Sequence, residues 1–489
     1  MLFRKLLSLS ACLLVPLPAT ARAPDPAPAR WAKIVTGRLP NGLRFVILPR
    51  HGNDPGVSVL MRNEGGFIAE RRPGERGLAH LIEHLFLVSP TISAPDDARH
   101  FIRIGGPITL PAPSAGTTSW RETNLFLSTR TGNPADLDTL LGLFRETATD
   151  LSLRADVVDE QRADVMREMA GRKPGNIVYA DYIAAVAPGS PNDLLDAQNS
   201  DDVPVASVAT IRTLYHRLYR PEAMMIVVVG AVDPARTEAL IRKRFADWRP
   251  DGPAAPSAPI PTFQADRIRP ISVAALPEGR RSALMTVVMP TPRVTRRSQA
   301  DAELMNLLAT RAVNDRLAAA QPGSTPGKTG IFIENGEQGH RQIMLWDNFA
   351  PGEWRSAIAG LARTACALDT TGFSDREWQA AREHRIEDLE ARASAMAAAP
   401  NVELAKDLSH ALAAGRDLLP PDALLRRARA WLPGVSARAG TAWWQAQWRA
   451  GVAHIRVEAP ELAGAKDPIP AIRTTVDAAV GDPRCRVRP

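Results

Sequence analysis

The stretch "GLAHLIEHLFLVSP" at residues 77 to 90 sets His80 and His84, two of nine histidines in the chain, four residues apart with Glu83 just before the second. On an α-helix each residue turns about 100°, so the two histidines share one face a turn apart and Glu83 flanks it. Leu78, Leu81, Ile82, Leu85 and Phe86 surround the trio with apolar side chains, which marks a buried helix. A buried polar group without a partner costs about 1–3 kcal/mol, so three together call for something that satisfies them. A single buried histidine is most simply hydrogen-bonded to a neighbour. His-x-x-Glu-His instead makes a two-histidine zinc platform with a carboxylate at its side.

A catalytic zinc needs a third protein ligand and an open position for water. Candidates lie on "VVDEQRADVMREMAGR", where Glu168 stands 84 residues beyond His84. Glu160, on the same predicted helix, lies roughly 80° around it from Glu168, so the two do not both face one metal. Spacing alone leaves the choice between them open.

The elements that must position these residues alternate between strands and helices. "NGLRFVIL" begins with an Asn-Gly turn and continues as a strand, and "GVSVLMRNEGG" reads as a second. The motif helix closes at Ser89-Pro90. "ETNLFLST" (122 to 129) is a further strand, and "PADLDTLLGLFRETATDL" is an amphipathic helix begun by proline. Helices are expected from about Ala155 to Gly171 and from about Val205 to Leu218. The β-branched run "AMMIVVVG" then leads into the helix "DPARTEALIRKRFADW".

The second half runs similarly, with strands "ISVAAL" and "SALMTVVMP" and the helix "RSQADAELMNLLATRAVNDRLAAA". "PDGPAAPSAPIPTF" supports neither helix nor ladder and reads as a linker. The expected organisation is a domain at 30–249, a Pro-rich linker at 250–266 and a second domain of similar architecture at 267–489, in an α+β order without a residue-level repeat. "QPGSTPGKTG" (321 to 330) reads as a mobile loop, and the three tryptophans of "TAWWQAQWRAG" read as packing rather than a binding surface.

Composition bounds the rest. A chain of 489 residues has room for two to four domains, and 45% hydrophobic with 23% charged residues is ordinary globular usage. The net charge of +7 comes mostly from arginines spread along the chain. With no basic stripe or nucleic-acid module, the sequence points to no nucleic-acid role. Arg4 and Lys5 precede the apolar run Leu6 to Leu17, and Ala21-Arg22-Ala23 makes a small-x-small site: a signal peptide over residues 1–23, hence an exported protein, with the bacterial periplasm as its expected location. Leu9-Ser10-Ala11-Cys12 offers a rival reading as a lipoprotein box. No other stretch is long and apolar enough to span a membrane. Past the signal peptide only Cys366 and Cys485 remain; they could form one disulfide, and any metal must be held by histidine and carboxylate.

His80 to His84 is the inverted zinc motif. Together with "LPNGLRFVILP", "GLAHLIEHLF", "QRADVMRE", "YRPEAMMIVVVGAVDP" and "FADW", in that order, it makes residues 33 to 250 resemble the pitrilysin/insulinase family of zinc peptidases. The second half resembles the family in length, order and "NDRL". The resemblance implies two similar α+β domains, each a mixed, largely antiparallel sheet packed against helices. It implies a zinc metalloendopeptidase with one Zn2+ per chain, held by His80, His84 and Glu168, and with Glu83 as general base. It also implies that a peptide substrate adds as a strand along Ala115, Gly116, Thr117, Thr118 and Ser119, with Arg316 as a further substrate contact.

Three features depart from the family's pattern. Gln161 stands where a glutamate usually supports the site, a change of the kind that weakens metal affinity or activity by about 10–100-fold. Ala115-Gly116 replaces Asn-Ala on the edge strand. The chain is also only one two-domain half, so the resemblance implies a homodimer or a heterodimer with a second family member. The alternative function is a zinc-binding but weakly active or inactive subunit that holds a partner or a peptide.

Overall fold

The computed structural model describes residues 34–92, 106, 108–109, 115–189, 200–250, 252, 264–275, 280–292, 298–320, 328–335, 340–414 and 420–485. The expected signal peptide, Cys12 and most of the Pro-rich linker lie outside the described residues.

The Asn41-Gly42 pair turns the chain between β1 (Val35–Arg38) and β2 (Arg44–Pro49), and Gly42 takes a φ of 96° there, a left-handed conformation that glycine adopts without steric cost. The remaining strands of this sheet are β3 (Val57–Asn63), β4 (Ile108–Thr109), β5 (Gly116–Thr118), β6 (Thr123–Thr129) and β7 (Met224–Gly230). They run in the order β1-β2-β7-β3-β6-β4, with β5 also paired to β6. Only the β2–β7 pairing is parallel.

Every residue of β7 is buried because both faces of the sheet are covered, which is why its sequence is an unbroken apolar run rather than an alternating one. On one face Ile226 and Val228 pack with Val57, Val59 and Met61 against α1 (Leu78–Val88), α2 (Pro134–Thr149), α3 (Ala155–Val186), α4 (Val208–Leu218) and α5 (Pro234–Phe245).

The second half repeats this order. Its strands are β8 (Ile271–Ala274), β9 (Ser282–Pro290), β10 (Thr329–Asn335), β11 (His340–Asn348) and β12 (Val452–Glu458). They are arranged β10-β11-β9-β12-β8, and again a single parallel pair, β12 with β8, stands at one side. Helices α6 (Gln299–Ala320), α7 (Trp354–Thr370), α8 (Asp375–Ala395), α9 (Asn401–Ala413), α10 (Pro421–Trp431), α11 (Ala437–Ala450) and α12 (Ile469–Val480) complete it. Both halves are therefore mixed, largely antiparallel sheets packed against helices.

Each half lends a helix to the other. Leu404, Ala405 and Leu408 of α9 cover the outer face of the first sheet, against Val46, Leu60, Phe126 and Val227. In return Tyr182, Ile183 and Val186, at the end of α3, pack on Leu284 and Val288 of β9. This corrects the expected end of that helix at Gly171: it continues through Pro174 and Gly175 to Val186. Burial of its last turns on the second sheet outweighs the local cost of proline and glycine, each about 1–3 kcal/mol in a helix interior. The fully buried Arg456 clasps the same segment, donating to Asp181 Oδ2 at 2.7 Å and to the Val178 carbonyl at 3.0 Å, while its Nε holds Glu458 at 2.9 Å.

Cys366 and Cys485 are joined in a disulfide, with Cα atoms 5.5 Å apart. Trp444 is buried in the core of the second half, with Trp443 and Trp448 packed beside it, as the packing reading of that cluster requires. Of the loop expected at 321–330, residues 321–327 lie outside the described residues, and Thr329 and Gly330 already belong to β10. Among the described residues no helix is long and apolar enough to cross a membrane.

Candidate metal centre

Helix α1 is aimed by its start. Gly77 caps it at φ 85°, and the Glu70 carboxylate accepts from the backbone N–H of Gly77 (2.9 Å) and of Ala79 (2.8 Å). Two orphan amides of the first turn are thereby satisfied by an acid placed at the positive end of the helix. Burial pushes the Glu70 carboxyl up to about 8, against these two donors, which favour the ionised form. Glu75, also buried, is gripped by Arg217 at 2.5 and 2.9 Å. Sequence reasoning missed both acids, because Glu70 stands outside capping-box spacing to the helix it caps and the partner of Glu75 is 142 residues away.

Leu78, Leu81, Ile82, Leu85 and Phe86 are buried in the first core, which turns His80 and His84 toward α3. There Glu168 meets them: His80 Nε2 lies 3.6 Å from Oε1 and His84 Nε2 lies 3.3 Å from Oε2. The imidazole rings stand edge to face, 4.9 Å between centroids. One donor atom from each of the three residues falls within 4.8 Å of the others, and among the described residues this is the one such histidine and carboxylate group. Two ligands of a tetrahedral zinc with bonds near 2.0–2.1 Å are separated by about 3.3–3.5 Å, close to the two histidine–glutamate distances, and two imidazoles with a carboxylate are a donor set that zinc takes. Glu160, the other candidate from spacing, is exposed and outside the group.

The electrostatics suit ligation. Burial, with His80 beside it, holds the His84 imidazolium below its usual range, which leaves a neutral ring with a lone pair to give. The His80 ring next to Glu168, with Arg172 and His84 near it, holds that carboxyl at about 2. Arg172 pairs with Glu168 Oε1 at 2.5 Å, a contact the i,i+4 spacing on α3 allows. Gln161, buried on the same helix, hydrogen-bonds the His84 ring and gives its amide N–H to Asp164 Oδ2 at 3.3 Å. Burial raises the Glu83 carboxyl, and a hydrogen bond from Thr118 Oγ1 to Glu83 Oε2, at 2.7 Å, opposes the rise.

Thr118 and Gly116 belong to β5, which pairs only with β6 among the described residues and so leaves its other edge as the border of the sheet. Thr117 is exposed on it, Ala115 accepts the Phe126 amide at 2.7 Å, and Ser119 closes the turn with Glu122. These five residues flank the histidine helix. Arg316 does not join them: its guanidinium is bound to Glu377 at 2.8 and 2.9 Å and to the Gly372 carbonyl at 2.7 Å, all within the second half.

An α+β molecule of two like halves, with an inverted His-x-x-Glu-His helix facing a distant glutamate, belongs to a class defined by a buried, carboxylate-flanked metal platform. Comparison with known proteins agrees. The profile described as "Peptidase M16 inactive domain" matches residues 206–319. The chain is 23% identical over 397 residues to the probable zinc protease PqqL of Escherichia coli, across 78% of this chain and 41% of that one. It is 28% identical over 246 residues to the zinc protease PqqE of Helicobacter pylori, across 50% and 52%. The crystal structure of the first half of the periplasmic protease PqqL from Escherichia coli matches with a TM-score of 0.76 at 19% identity, covering 94% of this chain and 98% of that one. A predicted insulinase family protease from Yersinia pestis matches at 0.72 and 18%, covering 96% and 100%.

The chain is thus similar, in sequence and in fold, to M16, insulinase-like proteases. It spans about half the length of the curated relatives it matches.

Proposed function

We propose that the chain is a zinc-dependent endopeptidase that cleaves peptides or unstructured polypeptides. The observation that carries this reading is the meeting of His80, His84 and Glu168 beside a half-buried carboxylate, Glu83, at the border of a sheet. One zinc ion per chain, held by these three donors, would polarise the scissile carbonyl and acidify the attacking water. Glu83 takes the proton of that water on its carboxylate and returns it to the leaving amine; a carboxyl raised by burial suits both steps. Gln161 keeps the His84 ring turned to the ion. A peptide lies along the open edge of β5 from Ala115 to Ser119 and is held by backbone hydrogen bonds. An extended chain can offer such a strand, whereas a folded protein has its own edges covered.

Residues 30–249 form the peptidase domain in this reading, 250–266 the linker, and 267–489 a domain that walls the substrate chamber and meets the partner, Arg316 included. A second copy, or a second family member, supplies the other half of the chamber. Residues 1–23 direct export to the periplasm, where the Cys366–Cys485 bond would persist.

One observation favours the second reading, a zinc-binding subunit with little activity: Arg172 is paired with Glu168 and competes with a metal for the charge of that carboxylate. Zinc-loaded protein, incubated with a broad library of unstructured peptides, separates the two. Cleavage that disappears in Glu83→Gln while zinc stays bound supports the peptidase. No cleavage by the wild type, alone or with another family member, leaves the binding subunit.

A further inference from the structure

We infer that Thr118 is a positioning residue for the general base rather than a contact of the peptide, an inference that rests on the peptidase reading above. On β5 the side chains alternate: Gly116 and Thr118 turn in toward α1, and Thr117 turns out to solvent. The Thr118 hydroxyl donates to Glu83 Oε2 at 2.7 Å. An ionised carboxylate only accepts, so the direction of that bond is set. The same oxygen of Thr118 lies 3.4 Å from Thr123 Oγ1, whose own proton goes to the Gly65 carbonyl at 3.0 Å. The second carboxylate oxygen, Oε1, has its own place. A Cβ on residue 116 would come within 2.4 Å of it, so glycine there leaves the space the base occupies.

The Glu83 side chain is thus laid along β5, one oxygen pinned by a hydroxyl and the other lodged over a glycine. A long, flexible side chain has many rotamers to lose, and a base must be held to within about 0.5 Å to be productive. Thr118 supplies that restraint from the strand whose border is open to a peptide. Peptide docking and base placement therefore share one strand, the first through its open edge and the second through Gly116 and Thr118.

The test is Thr118→Val, which keeps the shape and removes the donor, compared with Thr118→Ser, which keeps the donor. Both are zinc-loaded, and zinc content is counted for each. The expected result is a kcat lower by about tenfold or more in the valine variant, with KM and zinc content unchanged, and most of the rate restored by serine. An unchanged kcat, or a raised KM at unchanged kcat, overturns the inference and returns Thr118 to the peptide contacts. Should wild-type hydrolysis be too slow to follow, the peptidase reading fails separately, and calorimetry with a phosphinic peptide still reads the contact. Its affinity is expected to fall in Thr118→Val as in Glu83→Gln and to hold in Thr118→Ser; equal affinities in all forms overturn the inference.

Discussion

In the first half, α1 follows β3 and crosses α3, and between them His80, His84 and Glu168 turn their donor atoms on one point. In the second half α6 follows β9 and packs on α8, in the same place in the same chain order. What lies there is a set of ion pairs: Arg311 binds Asp315 at 2.9 Å and Asp388 at 3.2 Å, and His384 binds Asp315 at 3.0 Å. Both arrangements use residues four apart on a helix. The difference is in the signs. In the second half the arginine and the carboxylates are paired with one another, whereas in the first two imidazoles and a carboxylate turn one donor atom each on a common point, with Arg172 paired to that carboxylate as well. A common fold therefore carries a His-His-Glu group in one half and an ion-pair cluster in the other, and the difference belongs to the side chains rather than to the sheet.

Four tests would break or sharpen this contrast. The largest effect is expected from Glu83→Gln, which removes the proton carrier: peptide hydrolysis should fall by about 10²–10⁴-fold while atomic absorption still finds one zinc per chain. Residual cleavage at the wild-type rate would mean that the chemistry lies elsewhere.

Next, Glu168→Gln should weaken zinc binding by about 100-fold or more in a chelator competition, since the third donor loses its charge. The matched change in the second half, Asp315→Asn, should leave zinc stoichiometry and affinity as they are. A loss of zinc from Asp315→Asn would show that the two clusters are not as different as their charges make them.

Stability supplies a third comparison. Arg456→Met removes a fully buried guanidinium that joins Asp181, Glu458 and the Val178 carbonyl, a loss on the order of 3 kcal/mol in denaturant unfolding. Arg311→Met, in the partly exposed cluster, should cost less than about 1 kcal/mol. The smallest effect is expected from Gln161→Glu, which adds a negative charge behind His84. Zinc affinity should rise by up to about tenfold, with kcat changing less; a fall would mean that the amide is the better support for that ring.

Much of the first half was legible in the residues. The histidine helix, its end at Ser89-Pro90, the strand β7 and the Pro-started α2 follow from local periodicity and caps, and they stand where expected. The α+β order and the likeness of the halves were also readable, because patterns of strand and helix survive where residue identities do not. Three things were not. Glu168 and Glu160 look alike along the chain; only the crossing of α3 over α1 turns one to the histidines and leaves the other exposed. Helix α3 carries Pro174 and Gly175, which locally end a helix, and its passage to Val186 depends on a sheet built from residues a hundred positions away. Thr118 is by local pattern one more residue of an edge strand, and its hydrogen bond to Glu83 joins residues 35 apart in the chain.

By itself, the sequence determined that a helix would bring two histidines and a glutamate to one buried face, because helix geometry relates residues four apart without reference to anything else. It determined as well that the metal, if bound, would rest on nitrogen and oxygen. The tertiary structure alone decided which glutamate completes the set, which strand holds the base, and that the matching place in the second half is closed by ion pairs. Those are contacts between residues far apart in the chain, and their distances are set by packing, which no local pattern encodes.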